Sequence, residues 1–75
     1  MNSIQLRSAV SSKLVEIYMD SREGSDKRAA ALRALGRLGG EDAFNLMVTV
    51  LGERATPALH EAAIEAIGEI GRAAS

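Results

Sequence analysis

The sequence predicts an all-α fold, an α–α superhelix (solenoid) of two helix pairs and so of four helices. Three observations predict it. The chain matches itself at an offset of 32 residues, apolar residues recur at helical spacing, and Gly or Pro stands where each helix should stop or start. β-branched residues are few, and no alternating run has flanking turn residues, so no strand is needed.

The self-match is strongest where Arg28 through Gly39 (RAAALRALGRLG) falls on His60 through Gly71 (HEAAIEAIGEIG). Ala30, Ala31, Ala34, Gly36 and Gly39 meet identical residues, and Leu32, Leu35 and Leu38 meet Ile. The same offset carries Leu14 onto Leu46, Val15 onto Met47, Tyr18 onto Val50 and Met19 onto Leu51. One domain over residues 1–75 follows, with repeat one at about 3–39 and repeat two at about 41–72.

The first helix starts after Asn2 or Ser3, with Gln5 three residues beyond Asn2 as in a capping box, and runs to about Ser21. Ser25 or Asp26 can cap the second, which stops at Gly39-Gly40, where glycine admits the left-handed turn that closes a helix. Glu41 and Asp42 open the third, carboxylates at the positive end of the helix dipole, and Gly52 ends it. Thr56-Pro57 starts the fourth with a hydroxyl cap and a proline whose missing N–H costs nothing in the first turn.

The phrase Ala30-Ala31-Leu32-Arg33-Ala34-Leu35-Gly36-Arg37-Leu38-Gly39, repeated from Ala62 to Gly71, resembles the second helix of HEAT-like repeats of the phycobilin lyase type. The resemblance covers nearly the whole chain. It implies a solenoid whose second helices line a concave binding surface, and a scaffold rather than a catalyst. It also implies an Asp–Arg ladder between repeats, for which Asp20 and Arg28 could serve in repeat one, while Gly52 and His60 replace them in repeat two. By the same analogy the chain could be an accessory or chaperone-like subunit of a cofactor-attaching, lyase-type enzyme.

Composition bounds the function. The chain has 75 residues, 47% of them apolar and 25% charged, and a formal charge of −1, so no strong basic footprint for nucleic acid exists. Cys is absent, which removes disulfides, thiolate metal sites and Cys nucleophiles together. Ala supplies 13 of the apolar residues and the aromatics are Tyr18 and Phe44 alone, so little area is available for burial. Small chains of this kind commonly need a further staple, so either association into a homo-oligomer or unusually regular helix packing is expected. No apolar run approaches a membrane span, and Met1-Asn2-Ser3-Ile4-Gln5 lacks the pattern of a signal peptide, so the expected compartment is cytoplasmic.

The helical period places Leu59, Ala63, Ala66, Ile67 and Ile70 on one face of the fourth helix. Gly36 and Gly68, each costly inside a helix, are expected to admit close approach of a neighbouring helix. The opposite face carries Glu61, Glu65 and Glu69 with Arg72 beside them, and the second helix carries Arg33 and Arg37. Adjacent repeats should therefore set Arg33 against Glu65 and Arg37 against Glu69. Such exposed pairs are worth little by themselves, but the same mixed-charge face could hold a partner. Phe44 and Val48 stand where repeat one has Ser12 and Glu16, which marks either packing under a terminal helix or an apolar association patch. Residues 1–40 sum to +3 and residues 41–75 to −4, so a basic end could meet an acidic end head to tail, while a two-fold dimer sharing one kind of end is equally allowed sterically but gains nothing from this dipole.

Catalytic and ligand signatures are missing. His60-Glu61-Ala62-Ala63-Ile64 begins like a zincin motif, but Ile64 stands where the second His must be, so His60 is expected to be a partly buried packing residue. No nucleophile elbow, phosphate loop or dinucleotide fingerprint occurs. Lys27, Arg28, Arg33 and Arg37 form a small basic cluster, but Glu61, Glu65 and Glu69 would repel phosphate beside it. The expectation is a non-catalytic protein-interaction module without catalytic, metal or cofactor residues. Its partner would be a protein, with neither nucleic acid nor membrane. Arg33, Arg37, Glu61, Glu65, Glu69, Phe44 and Val48 are its candidate contact residues.

Overall fold

A computed structural model describes residues 2–74; Met1 and Ser75, the ends of the predicted domain, lie outside the described residues. Four helices follow one another: α1 (Ser3–Met19), α2 (Ser25–Leu38), α3 (Glu41–Gly52) and α4 (Pro57–Ala74). No strand occurs among the described residues.

The helix ends follow local chemistry. Asn2 Oδ1 accepts from the Gln5 backbone N–H at 2.8 Å and Gln5 Oε1 accepts from the Asn2 N–H at 3.2 Å, closing the capping box. At the other end α1 stops at Met19, two residues short of the expected Ser21. Asp20 turns the chain instead, its carboxylate accepting from the Arg22 backbone N–H at 3.0 Å. The N-cap of α2 is Gly24, with no side-chain cap, so the expected cap residues Ser25 and Asp26 lie inside the first turn. Gly39 (φ 74°) closes α2 and Gly40 (φ 96°) leads into α3, backbone conformations that a Cβ would strain. Thr56 Oγ1 accepts from the Leu59 N–H at 3.4 Å and Pro57 is the first residue of α4.

Helices α2 and α4 form the best-packed pair; α1 lies on α2 and α3 on α4, but α1 and α3 do not meet. Between α1 and α3 lies an open cleft, with Ser8, Ser11 and Ser12 on one side and Asp42 and Ala43 on the other. Leu32, Leu35, Met47 and Val50 are the large side chains at full burial, set among Ala31, Ala62, Ala63 and Ala66. The molecule measures 35 × 30 × 16 Å and exposes 5127 Å². A folded monomer of this mass exposes about 4,400 Å².

Two contacts tie α1 to α2. Arg7 of α1 donates from Nη2 to the Leu38 carbonyl oxygen at 2.9 Å, satisfying a terminal carbonyl of α2. Arg28 of α2 donates from Nε to the Tyr18 carbonyl oxygen at 2.7 Å. Arg28 is thus committed to Tyr18, while Asp20 pairs with Arg22 at 3.1 Å. The Asp20–Arg28 ladder implied by the resemblance is not formed, because the turn gives Asp20 a nearer cation.

Candidate functional site

The junction between the repeats is built on glycine. A Cβ placed on Gly36 would lie 2.6 Å from Ala66 Cα and 2.7 Å from Ala66 Cβ, so only glycine lets α2 and α4 approach this closely. Gly68, its equivalent one repeat on, faces open space with nothing within 4 Å of such a Cβ. The close approach expected at both glycines is therefore found at Gly36 alone. The reason is positional: among the described residues α4 packs on α2 and α3, and no helix lies against its Gly68 side.

On the face of α2 and α4 turned away from α1 and α3, Arg33 Nε lies 2.5 Å from Glu65 Oε2. This hydrogen bond first, and the Glu65 charge second, raise the Arg33 pKa above its ordinary value, with Glu61 and Asp26 adding to the effect. Glu69 instead pairs with Arg72, three residues along its own helix, at 3.3 Å. The expected Arg37–Glu69 ion pair is thus replaced by a local one, which needs no reach across helices. Arg37 still lines one open cleft with Arg33, Glu65, Ala66 and Glu69, about 420 Å³ in volume. Among the described residues Arg37 has no ion pair, and it is exposed.

Phe44 and Val48 lie elsewhere. They are 44% and 49% exposed on α3, beside Leu51 at 38%. Neither is buried. Phe44 borders an apolar groove of about 550 Å³ against Ile67, Ile70 and Ala73 near the end of α4. Ile64 on α4 is 60% exposed. The seven predicted contact residues therefore divide into a mixed-charge face and an apolar end. Sequence reasoning missed Leu51 and Ile64 at that end. The offset could have found Ile64, since its counterpart Leu32 is fully buried.

His60 is half-buried at the start of α4, with Nε2 3.0 Å from the Glu53 carbonyl oxygen. It fastens the α3–α4 turn much as Arg28 fastens the end of α1. Among the described residues no three His, Asp or Glu side chains gather where they could hold a metal ion, and no helix is long and apolar enough to cross a membrane.

Stacked helix pairs with a repeat-length self-match and a shared junction define a helical-repeat protein. The chain belongs to the HEAT-repeat family, whose model, described as HEAT repeats, matches residues 11–75. HEAT repeats are generally scaffolds for protein interaction. Neither the comparison with curated proteins nor that with solved structures gives a match.

Proposed function

We propose that the chain is a non-catalytic protein-interaction module that associates with copies of itself and offers its mixed-charge face to a protein partner. The observation that carries the reading is the uncovered apolar end, where Phe44, Val48, Leu51 and Ile64 stand between 38% and 60% exposed. Burying such a surface would add area that the alanine-rich core does not supply. Glu61, Glu65 and Glu69 beside Arg33 and Arg37 favour a protein with alternating charge over a phosphate backbone.

Sedimentation equilibrium over a wide concentration range and at two salt levels tests this. Wild type should associate, and Val48→Glu should return it to a folded monomer with unchanged circular dichroism. Unfolding by Val48→Glu would make Val48 a core residue, and a wild-type monomer at every concentration would remove self-association. A second reading, an accessory or chaperone-like subunit of a cofactor-attaching, lyase-type enzyme, is favoured by the Ala62–Gly71 phrase and its earlier copy. It requires that a purified enzyme of that kind, rather than a second copy, co-sediment with the chain.

A further inference from the structure

We infer that copies of this chain stack head to tail, the end of repeat two in one copy receiving the start of repeat one in the next, in the register of the internal junction. The inference rests on the self-association proposed above and specifies its partner surface.

The internal junction brings together Gly36 with Ala66 and Arg33 with Glu65, and sets Ser12 across a cleft from Asp42. Moving the first member of each pair on by 32 residues, and the second back by 32, gives the contacts of a second copy. They are Gly68 with Ala34, Glu65 with Arg33, and Phe44 with Val10. Each substitution is matched. Gly68 offers the same bare backbone as Gly36 and Ala34 the same methyl as Ala66. The charges exchange signs and remain opposite. The polar pair Ser12 and Asp42 becomes the apolar pair Phe44 and Val10, 44% and 40% exposed in the single copy.

Burial repeats the pattern. Leu32 is fully buried inside the junction, whereas its counterpart Ile64 is 60% exposed at the free end. Ala62 is fully buried, whereas its counterpart Ala30 is exposed at the other end. The two exposed faces are thus the two halves of a junction the protein already forms once. A two-fold contact between like ends would oppose Glu65 to Glu65, while the head-to-tail contact sets each Arg33 between two carboxylates. Such a heterologous contact continues into a ring or a filament.

Three samples test the stacking by sedimentation, with fluorescent labels for the mixture: wild type, Gly68→Ala, and the double variant Arg33→Glu with Glu65→Arg. Wild type should associate. Gly68→Ala meets nothing inside its own copy, so helical content should be kept, but association should weaken about tenfold or more as the new Cβ meets Ala34 of the next copy. The double variant keeps an opposite-charge pair within each copy and between its own copies, so it should associate alone. Mixed with wild type it sets like charges together, and co-assembly should be about threefold to tenfold weaker. Co-assembly stronger than either parent would mean a two-fold contact and overturn the stacking while leaving self-association intact. So would a Gly68→Ala variant that associates as tightly as wild type. A wild-type monomer at every concentration would remove both.

Discussion

Arg28 holds the carboxyl end of α1 through Tyr18 in two ways. Its Nε donates to the Tyr18 carbonyl oxygen at 2.7 Å, and its guanidinium carbon stands 5.0 Å from the centre of the Tyr18 ring. Tyr18 is the single buried residue of α1, so this is where the helix is anchored. The carbonyl is among the last of α1, has no intrahelical N–H to accept from, and lies at the negative end of the helix dipole.

Removing this contact should loosen α1. Arg28→Ala should cost about 1–3 kcal/mol, from a charge-assisted hydrogen bond and a cation–π contact that share one side chain. Arg28→Lys keeps the charge but loses the planar fork, and should fall between wild type and Ala. Urea unfolding followed by circular dichroism reads the difference. A loss under half a kcal/mol for Arg28→Ala would mean that apolar packing alone holds α1.

Gly36 and Gly68 separate two effects that a sequence cannot tell apart. Gly36→Ala places a methyl 2.6 Å from Ala66 Cα, backbone that can move only by parting α2 from α4. It should cost about 1–3 kcal/mol despite the better helix propensity of Ala. Gly68→Ala meets nothing and should stabilise the dilute single copy by up to about 1 kcal/mol. Thermal unfolding at low concentration checks both, and equal effects at the two sites would place the junction elsewhere.

These residues show how far the sequence could be read. The helix count, the repeat and most of the caps were legible because they rest on local signals: Gly39-Gly40, Thr56-Pro57, the box at Asn2 and Gln5, and a self-match in steps of 32. The Arg33–Glu65 pair was legible because the offset itself aligns the two positions. Gly68 was not, because its place in the repeat is that of Gly36 and only position along the solenoid decides whether a neighbour exists. Nor was the fate of Glu69, since three residues of helix bring Arg72 within reach as readily as a second helix brings Arg37. The gap between α1 and α3 is a matter of packing between repeats, which periodicity does not report.

The Arg33–Glu65 pair should be measurable but small. Both side chains are substantially exposed, at 44% and 59%, so solvent screens the attraction. A double-mutant cycle with Ala at both positions should give a small favourable coupling that shrinks as salt is raised. The same cycle on Arg37 and Glu69 should give nearly none, because Arg72 already holds Glu69. Equal couplings in the two cycles would contradict this division of partners.

Asp20 supplies a test by pH. The side-chain hydrogen bond from Arg22, and after it the Arg22 backbone N–H, hold its carboxyl below the ordinary value of 3.8. A carboxylate whose folded-state pKa is depressed contributes its stability above the unfolded-state pKa and loses it as pH falls through the folded value. The contribution is therefore complete at neutral pH and disappears only below about pH 4. Asp20→Asn keeps an oxygen for the Arg22 backbone N–H, so the turn between α1 and α2 survives, but it removes the titrating charge. Stability measured against pH should fall more steeply for wild type than for Asp20→Asn in the acid range, and the two curves should run parallel above pH 5. Curves that stay parallel down to pH 2 would mean that Arg22 binds Asp20 no better in the folded chain than in the unfolded one.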